Sequence, residues 1–286
     1  MVTLSARVRP MTAADLEPAA DLLRRGDFGD RLDFFSWAIE RRWMDVLVAV
    51  DGDRILGTGT GAAHDRSGWV GVIFVTPDAR GAGLGRRITR AVLDRLEARG
   101  TRTQLLIASP MGRPIYEREG FRVLDRQVRF AIDGLPPDGD GAGGDRGIRP
   151  FREDDRPAIE ALDRAATGED RRAVLDALVK PASTLIATGG DGDPTIRGFL
   201  ARAPWRGGAL IAPEPADALR LLERRRRSSG LSGRAGAGVL AGNARGRAAL
   251  RAAGWEEELG GMRMIRGDAL EWQPDAIFGQ FNGALG

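Results

Sequence analysis

Ile73-Phe-Val-Thr-Pro-Asp-Ala-Arg-Gly-Ala-Gly-Leu-Gly-Arg-Arg87 is the stretch that decides the fold. An apolar strand breaks at Pro77, and a glycine-rich turn then opens into an amphipathic helix. Arg80, Gly83 and Gly85 give the spacing RxxGxG. Leu84, Ile88, Ala91, Val92 and Leu96 fall on one face at helical spacing, which supports the helix. Such a junction suits an anion, because the first N–H groups of a helix lack internal acceptors and sit at the positive end of its dipole. Glycines let the anion approach them. Taken alone, the stretch reads either as a phosphate cradle or as a flexible surface turn. A dinucleotide fingerprint would need GxGxxG and a later acidic residue, and a Walker turn would need Gly-Lys-Ser/Thr. Neither is present.

Composition narrows the chemistry. The 286 residues suit one large domain or two of ordinary size, with 42% hydrophobic and 29% charged residues, as in soluble globular proteins. There is no Cys, which excludes disulfides, thiolate metal sites and a cysteine nucleophile. His64 is the only histidine, so no metal centre is expected. The pI of about 10.2 accompanies a net charge of only +3. Almost nothing titrates between the carboxylates and the arginines, so a small positive excess persists to high pH; it is not a nucleic-acid signal. With no long apolar run and no signal-peptide pattern, no membrane association is expected and a cytoplasmic location is.

Outward from the opening stretch, residues 6–10 read as a strand and 13–24 as a helix capped by Thr12. Residues 31–42 read as a second helix carrying Phe34, Phe35, Trp37 and Ile39, an aromatic cluster that suits a core or a cleft wall. Val46–Val50, a turn at Asp51-Gly52, and Arg54–Ala63 form a hairpin. Gly57, Gly59 and Gly61 alternate along its second arm and predict a close-packed face. A strand over 69–75 leads into the glycine turn. Beyond the helix come a strand over 102–108, a short helix over 112–120 closed by Gly120, and a strand over 122–132. Lone His64 is expected to be an exposed turn residue.

Residues 133–147 are almost all turn formers and read as a linker. The pattern then begins again. Ile148-Arg-Pro-Phe-Arg-Glu-Asp-Asp repeats Val8-Arg-Pro-Met-Thr-Ala-Ala-Asp, Pro213 repeats Pro77, and Gly246…Leu250…Gly254-Trp255 repeats Gly112…Tyr116…Gly120-Phe121. Three anchors in one order at nearly one offset predict a duplicated fold. The expected domains are 1–132 and 148–286.

The first half resembles the GNAT superfamily of acetyl-CoA-dependent N-acetyltransferases. The residues that carry the resemblance are the strand Val72–Val75, Pro77, Arg80, Gly81, Gly83, Gly85, and the later Ala108-Ser109…Gly112…Pro114…Tyr116…Gly120-Phe121. The second half, with Asn243…Leu250…Gly254-Trp255…Met262, resembles the diverged partner of tandem GNAT proteins. The implied fold is α/β, with two tandem domains, each a twisted mixed sheet flanked by helices. The implied co-substrate is acetyl-CoA. Its pyrophosphate would sit on the turn of Arg80, Gly81, Ala82, Gly83, Leu84, Gly85 and Arg86, and its pantetheine arm would pair with the backbone of Ile73, Phe74 and Val75. The thioester would lie where strands 69–75 and 103–108 splay apart.

Tyr116, the only tyrosine, is by the resemblance the acid for the departing sulfur; as a plain residue it also suits packing. Ser109 suits either the CoA arm or a helix cap. Where some relatives have a Glu base, this chain has Gln104. Asp27, Asp30, Asp33 and Asp65 are expected to be solvated. The second copy has Glu214 and Asp217 in place of the glycines and Leu250 in place of Tyr116, so one acetyl-CoA site is expected, in the first copy. Arg224–Arg227 reads as a solvated helix end, with nucleic-acid binding the less favoured reading. The expected function is acetyl transfer to a primary amine on a small molecule or, second, a peptide, by a monomer or homodimer. The alternative is an acyl-CoA sensor without turnover. No portable code names the acceptor.

Overall fold

Strand β1 (Arg7–Pro10) pairs antiparallel with β2 (Met44–Asp51), placing Val8 opposite Ala49. The computed structural model describes residues 6–136, 147–190, 192–205 and 207–286. Between those strands lie α1 (Leu16–Arg25) and α2 (Leu32–Ala38). Asp15 sets the entry to α1 after a single 3-10 turn: its carboxylate accepts from the Thr12 N–H at 2.8 Å and from both ends of the Arg9 guanidinium at 2.7 and 2.8 Å. Then come β3 (Arg54–His64), β4 (Ser67–Val75), α3 (Leu84–Ala98), β5 (Thr103–Ala108), α4 (Arg113–Arg118) and β6 (Arg122–Asp133).

The alternating glycines of β3 face α3, as their spacing predicts. A Cβ at Gly59 would stand 2.5 Å from Ile88 Cγ2, and one at Gly61 would stand 3.1 Å from Val92. Only glycine lets the helix lie this close to the sheet. Phe34 and Phe35 are core residues, 1% and 0% exposed. α2 is shorter than the sequence suggests, ending at Ala38 instead of 42.

The second copy follows with β7 (Ile148–Pro150), α5 (Arg156–Thr167), α6 (Arg172–Leu178), β8 (Thr184–Gly190), β9 (Asp193–Arg202), β10 (Gly208–Ile211), α7 (Pro215–Ser229), β11 (Arg234–Leu240), α8 (Ala244–Ala252), β12 (Glu256–Gly267) and β13 (Ile277–Gly279). The expected linker, 133–147, falls for the most part outside the described residues.

The repeat extends to individual hydrogen bonds. Arg149 holds Asp155 through two bonds of 2.7 Å, as Arg9 holds Asp15. The Phe121 N–H donates to the Tyr116 carbonyl at 3.0 Å, and the Trp255 N–H donates to the Leu250 carbonyl at 3.0 Å.

The chain forms two compact units that are not cut at the repeat boundary. Unit 1 gathers residues up to Leu124 together with Arg263–Ala269 and Gly283–Gly286; unit 2 gathers Asp125–Met262 and Leu270–Asn282. In unit 1 the strand order is β1-β2-β3-β4-β5, with the end of β12 following β5. β4 and β5 are parallel, and the other ladders from β1 to β4 are antiparallel. In unit 2 the β7 to β10 strands and β13 form a five-stranded sheet, and β11 pairs antiparallel with β6. The core of unit 2 joins Leu221, Leu222, Leu250, Trp255 and Phe278.

Candidate active site

The site of unit 1 is built at the end of β4. Val72 has a φ of 49°, and the register against β3 shifts there, so that Val72 and Ile73 together oppose Gly59. This is a β-bulge, which bends the strand and disrupts its ladder. The Thr58 hydroxyl secures it by donating to the Val72 carbonyl at 2.9 Å. On the other side, β4 and β5 pair only over Ser67–Trp69 and Thr103–Leu105. The ladder ends there, while β4 continues to Val75 and β5 to Ala108.

The glycine turn lies one 3-10 turn beyond Val75. Gly81 and Gly83 adopt φ of 81° and 75°, the left-handed region, and Gly83 is the N-cap of α3. A Cβ at either position would meet nothing within 4 Å, so the space before the turn is open. The first helical closure runs from the Arg87 N–H to the Gly83 carbonyl at 3.1 Å. The amides of Leu84, Gly85 and Arg86 therefore precede the intrahelical ladder and carry the positive end of the dipole. The Leu84 side chain is buried, Ala82 and Arg86 are exposed, and Arg80 folds back so that its Nε donates to the Val75 carbonyl at 3.2 Å. The Arg86 guanidinium is held by Glu119 at 2.6 Å, which leaves its backbone N–H as its contribution to the turn.

α4 lies against this turn at Gly85, where an added Cβ would stand 3.3 Å from Ile115 Cδ1 and 3.7 Å from Val75 Cγ2. Tyr116 follows Ile115. Its ring packs edge-on against Phe121 with centroids 6.0 Å apart, and it is 8% exposed. Burial pushes its pKa up to about 12, so the phenol keeps its proton throughout the neutral range. The Ser109 hydroxyl accepts from the Gly112 N–H at 3.1 Å and so closes the turn that leads into α4.

The opposite face of β4 is covered. Phe28 meets Phe74 edge-on at 5.7 Å, bringing the α1–α2 loop over the bulge. A methyl at Gly71 would overlap Ala284, and Gly286 lies against Trp69. His64 is buried, not exposed as its turn position suggests: its Nε2 lies 3.1 Å from the Leu285 carbonyl, 221 residues away. Arg263 stacks its guanidinium 4.9 Å from the Trp69 ring centre. No local sequence signal marks these tail contacts, because both sides look like ordinary strand and loop until the fold joins them. Gln104 is buried; it donates to Thr101 and accepts from Arg266 at 2.8 Å. Asp27, Asp30, Asp33 and Asp65 are exposed. Among the described residues no cluster of His, Asp or Glu suits a metal, and no described helix is long and apolar enough to cross a membrane.

The corresponding place in unit 2 is built otherwise. Glu214 caps α7 with extended backbone, where Gly83 is left-handed. Asp217 fills the first turn and pairs with Arg220 at 2.8 Å. Leu250 is fully buried in the core.

Residues 33–135 and 159–279 each match a family model described as an acetyltransferase (GNAT) domain. The chain is a tandem GNAT protein. A mycothiol acetyltransferase of Actinosynnema mirum is 40% identical to it over 98 residues, 32% of this chain and 33% of that one. The N-acetyltransferase YitH of Bacillus subtilis, itself uncharacterized, is 28% identical over 158 residues, 54% of this chain and 55% of that one. The tandem GNAT chain thus spans from a third to just over half of these curated relatives' lengths. Among solved structures, a Pyrococcus horikoshii protein assigned as an acetyltransferase superposes with a TM-score of 0.82 at 21% identity, covering 100% of this chain and 98% of that one. A GCN5-related N-acetyltransferase from Sphaerobacter thermophilus gives 0.62 at 18% identity, covering 93% and 98%. At these identities the likeness speaks for the fold of the tandem GNAT protein.

Proposed function

We propose that unit 1 is an acetyl-CoA-dependent N-acetyltransferase and that unit 2 has no acetyl-CoA site. The observation that carries this reading is the open turn at Gly81 and Gly83, two left-handed glycines heading α3 directly beyond a bulged strand whose parallel ladder has already ended. Amides of the Gly81–Arg86 turn would hold the pyrophosphate, and Ile73, Phe74 and Val75 would offer backbone groups to the pantetheine arm as an added strand. Acetyl-CoA supplies an acyl thioester to an attacking neutral amine. Backbone amides at the bulge would polarise the carbonyl. Tyr116, kept protonated by burial, would donate its proton to the sulfur as the C–S bond breaks, and the proton lost by the attacking nitrogen would pass to water, from which the phenol is restored. Ser109 would remain available to the CoA arm through its O–H and the lone pair that the bond from Gly112 leaves free.

The acceptor we favour is a primary amine on a small molecule, with a peptide amine second. Relatives named for mycothiol, a small molecule, support that order. A second reading, an acyl-CoA sensor without turnover, draws on Gln104, which is buried and fully engaged where some relatives have a carboxylate base. The test is a mass-spectrometric screen of an amine library incubated with acetyl-CoA. A product heavier by one acetyl group, lost in Tyr116→Phe, supports the transferase. CoA binding without any product supports the sensor.

A further inference from the structure

Unit 2 contains a cavity of 420 Å³ between the start of β8, the end of β9 and the C-terminal half of α7. The inward stripe of α7 runs through Ala218, Leu221 and Leu222, all within 1% of complete burial, and its next position is Arg225. Arg225 and Arg202 both line the cavity. This corrects the expectation that Arg224–Arg227 is simply a solvated helix end. Among the described residues neither Arg202 nor Arg225 has an ion-pair or hydrogen-bonding partner for its guanidinium. Burial, followed by the charge of Arg202, lowers the pKa of Arg225 from its usual value.

Unit 1 shows what this location needs when it binds nothing. The strand registers align β2 with β8 and β3 with β9: Arg9 pairs with Val48 as Arg149 pairs with Ile186. Asp45 opposite Gly61 then corresponds to Ser183 opposite Arg202, where the Arg202 N–H donates to the Ser183 carbonyl at 2.9 Å. In unit 1, Gly61 lets Val92 and Leu96 pack onto the strand, and Asp45 neutralises Arg95 at 3.1 Å and Arg99 at 2.8 Å. In unit 2 the glycine has become a cation, the carboxylate has become a hydroxyl, and the space between helix and strand is open. Arg225 is half-buried beside the like charge of Arg202, which is exposed at the open side of the cavity. Two neighbouring guanidinium groups with no counter-ion among the described residues repel each other, and the missing charge is an anion.

We propose that this cavity binds a small organic polyanion, a phosphate ester or a polycarboxylate, between Arg202 and Arg225. The planar guanidinium fork matches both oxyanions. The volume falls within the roughly 300–1,000 Å³ range of small-ligand sites. This site is separate from the glycine turn and does not depend on the acetyltransferase reading.

Thermal unfolding of the full chain in pyrophosphate, in citrate, and in chloride of matched ionic strength tests the proposal. It uses the wild type, Arg225→Gln, and Ser183→Asp, which supplies the carboxylate that unit 1 has in Asp45. The expected result is a Tm rise of a few degrees in the wild type with at least one of the two anions over chloride, absent from both variants. A response to pyrophosphate alone assigns a phosphate ligand, and to citrate alone a carboxylate. Ser183→Asp should melt higher than wild type in chloride, and it carries the test if Arg225→Gln does not fold. No anion-specific rise in the wild type, or an equal rise in the variants as binding at the Gly81–Gly83 turn would give, overturns the proposal.

Discussion

Tyr116 concentrates the chemistry proposed for unit 1 in one phenol. Its raised pKa, about 12, keeps it a proton donor over the whole working range. Tyr116→Phe should lower kcat by about 10²–10⁴-fold with little change in acetyl-CoA affinity. In the wild type, no loss of rate from Tyr116 ionisation should appear below about pH 10. Gly83 makes the matching prediction for binding. Its φ of 75° favours glycine, and a Cβ there would meet no neighbour, so Gly83→Ala acts through backbone strain alone. It should cost about 1–2 kcal/mol, read by urea unfolding, and weaken acetyl-CoA binding by calorimetry. The sequence marks these residues as candidates, because glycine spacing and a lone tyrosine are local signals. It could not show that Arg86 is spent on Glu119, or that His64 is buried under a tail 221 residues away, since both depend on tertiary contacts.

At the scale of elements, two paired features carry the repeat. Asp15 lies well below the usual carboxylate range because it accepts hydrogen bonds from Arg9, and Asp155 is lowered in the same way by Arg149. A depressed carboxyl contributes stability that is present above its unfolded pKa of about 3.9 and is lost as pH falls through its folded value. Asp15→Asn should therefore lower Tm most near neutrality, and the gap to wild type should shrink in melts below about pH 4. An equal gap at all pH values would contradict this. In unit 2, α5 and α6 are joined by Asp163 and Arg171, both buried, with bonds of 2.5 and 3.0 Å. Asp163→Ala should destabilise by about 3 kcal/mol in urea titration, because it removes both hydrogen bonds to a buried guanidinium and leaves it only the charge of buried Glu169 and the ring of Phe281. Helices and strands were legible from periodicity to within a few residues, except α2, where the apolar pattern runs past the turn that ends it. The bulge at Val72 was not legible, since nothing in Trp-Val-Gly-Val-Ile-Phe marks the extra residue.

At the scale of the molecule, the duplication was legible from three anchors, but the exchange of segments was not. Unit 1 includes Arg263–Ala269 and Gly283–Gly286, which the repeat assigns to the second copy. Thr103 donates to the Asp268 carbonyl at 3.0 Å, Arg266 reaches Glu97 at 2.7 Å, and Arg263 covers Trp69. A repeat reports common ancestry of sequence, whereas strand partners are chosen by pairing across the whole chain. Residues 1–132 alone should therefore aggregate or bind acetyl-CoA much more weakly than the full chain, as judged by size-exclusion chromatography and calorimetry; a monomeric 1–132 with full affinity would contradict the completion of unit 1 by the C-terminal segments. The central claim is one acetyl-CoA site per chain, on the turn that begins at Arg80. Calorimetric titration of acetyl-CoA into the full chain tests it most directly: the account predicts one site per chain, abolished by Arg80→Glu, and it is contradicted by no binding, by two sites, or by a single site that survives the substitution.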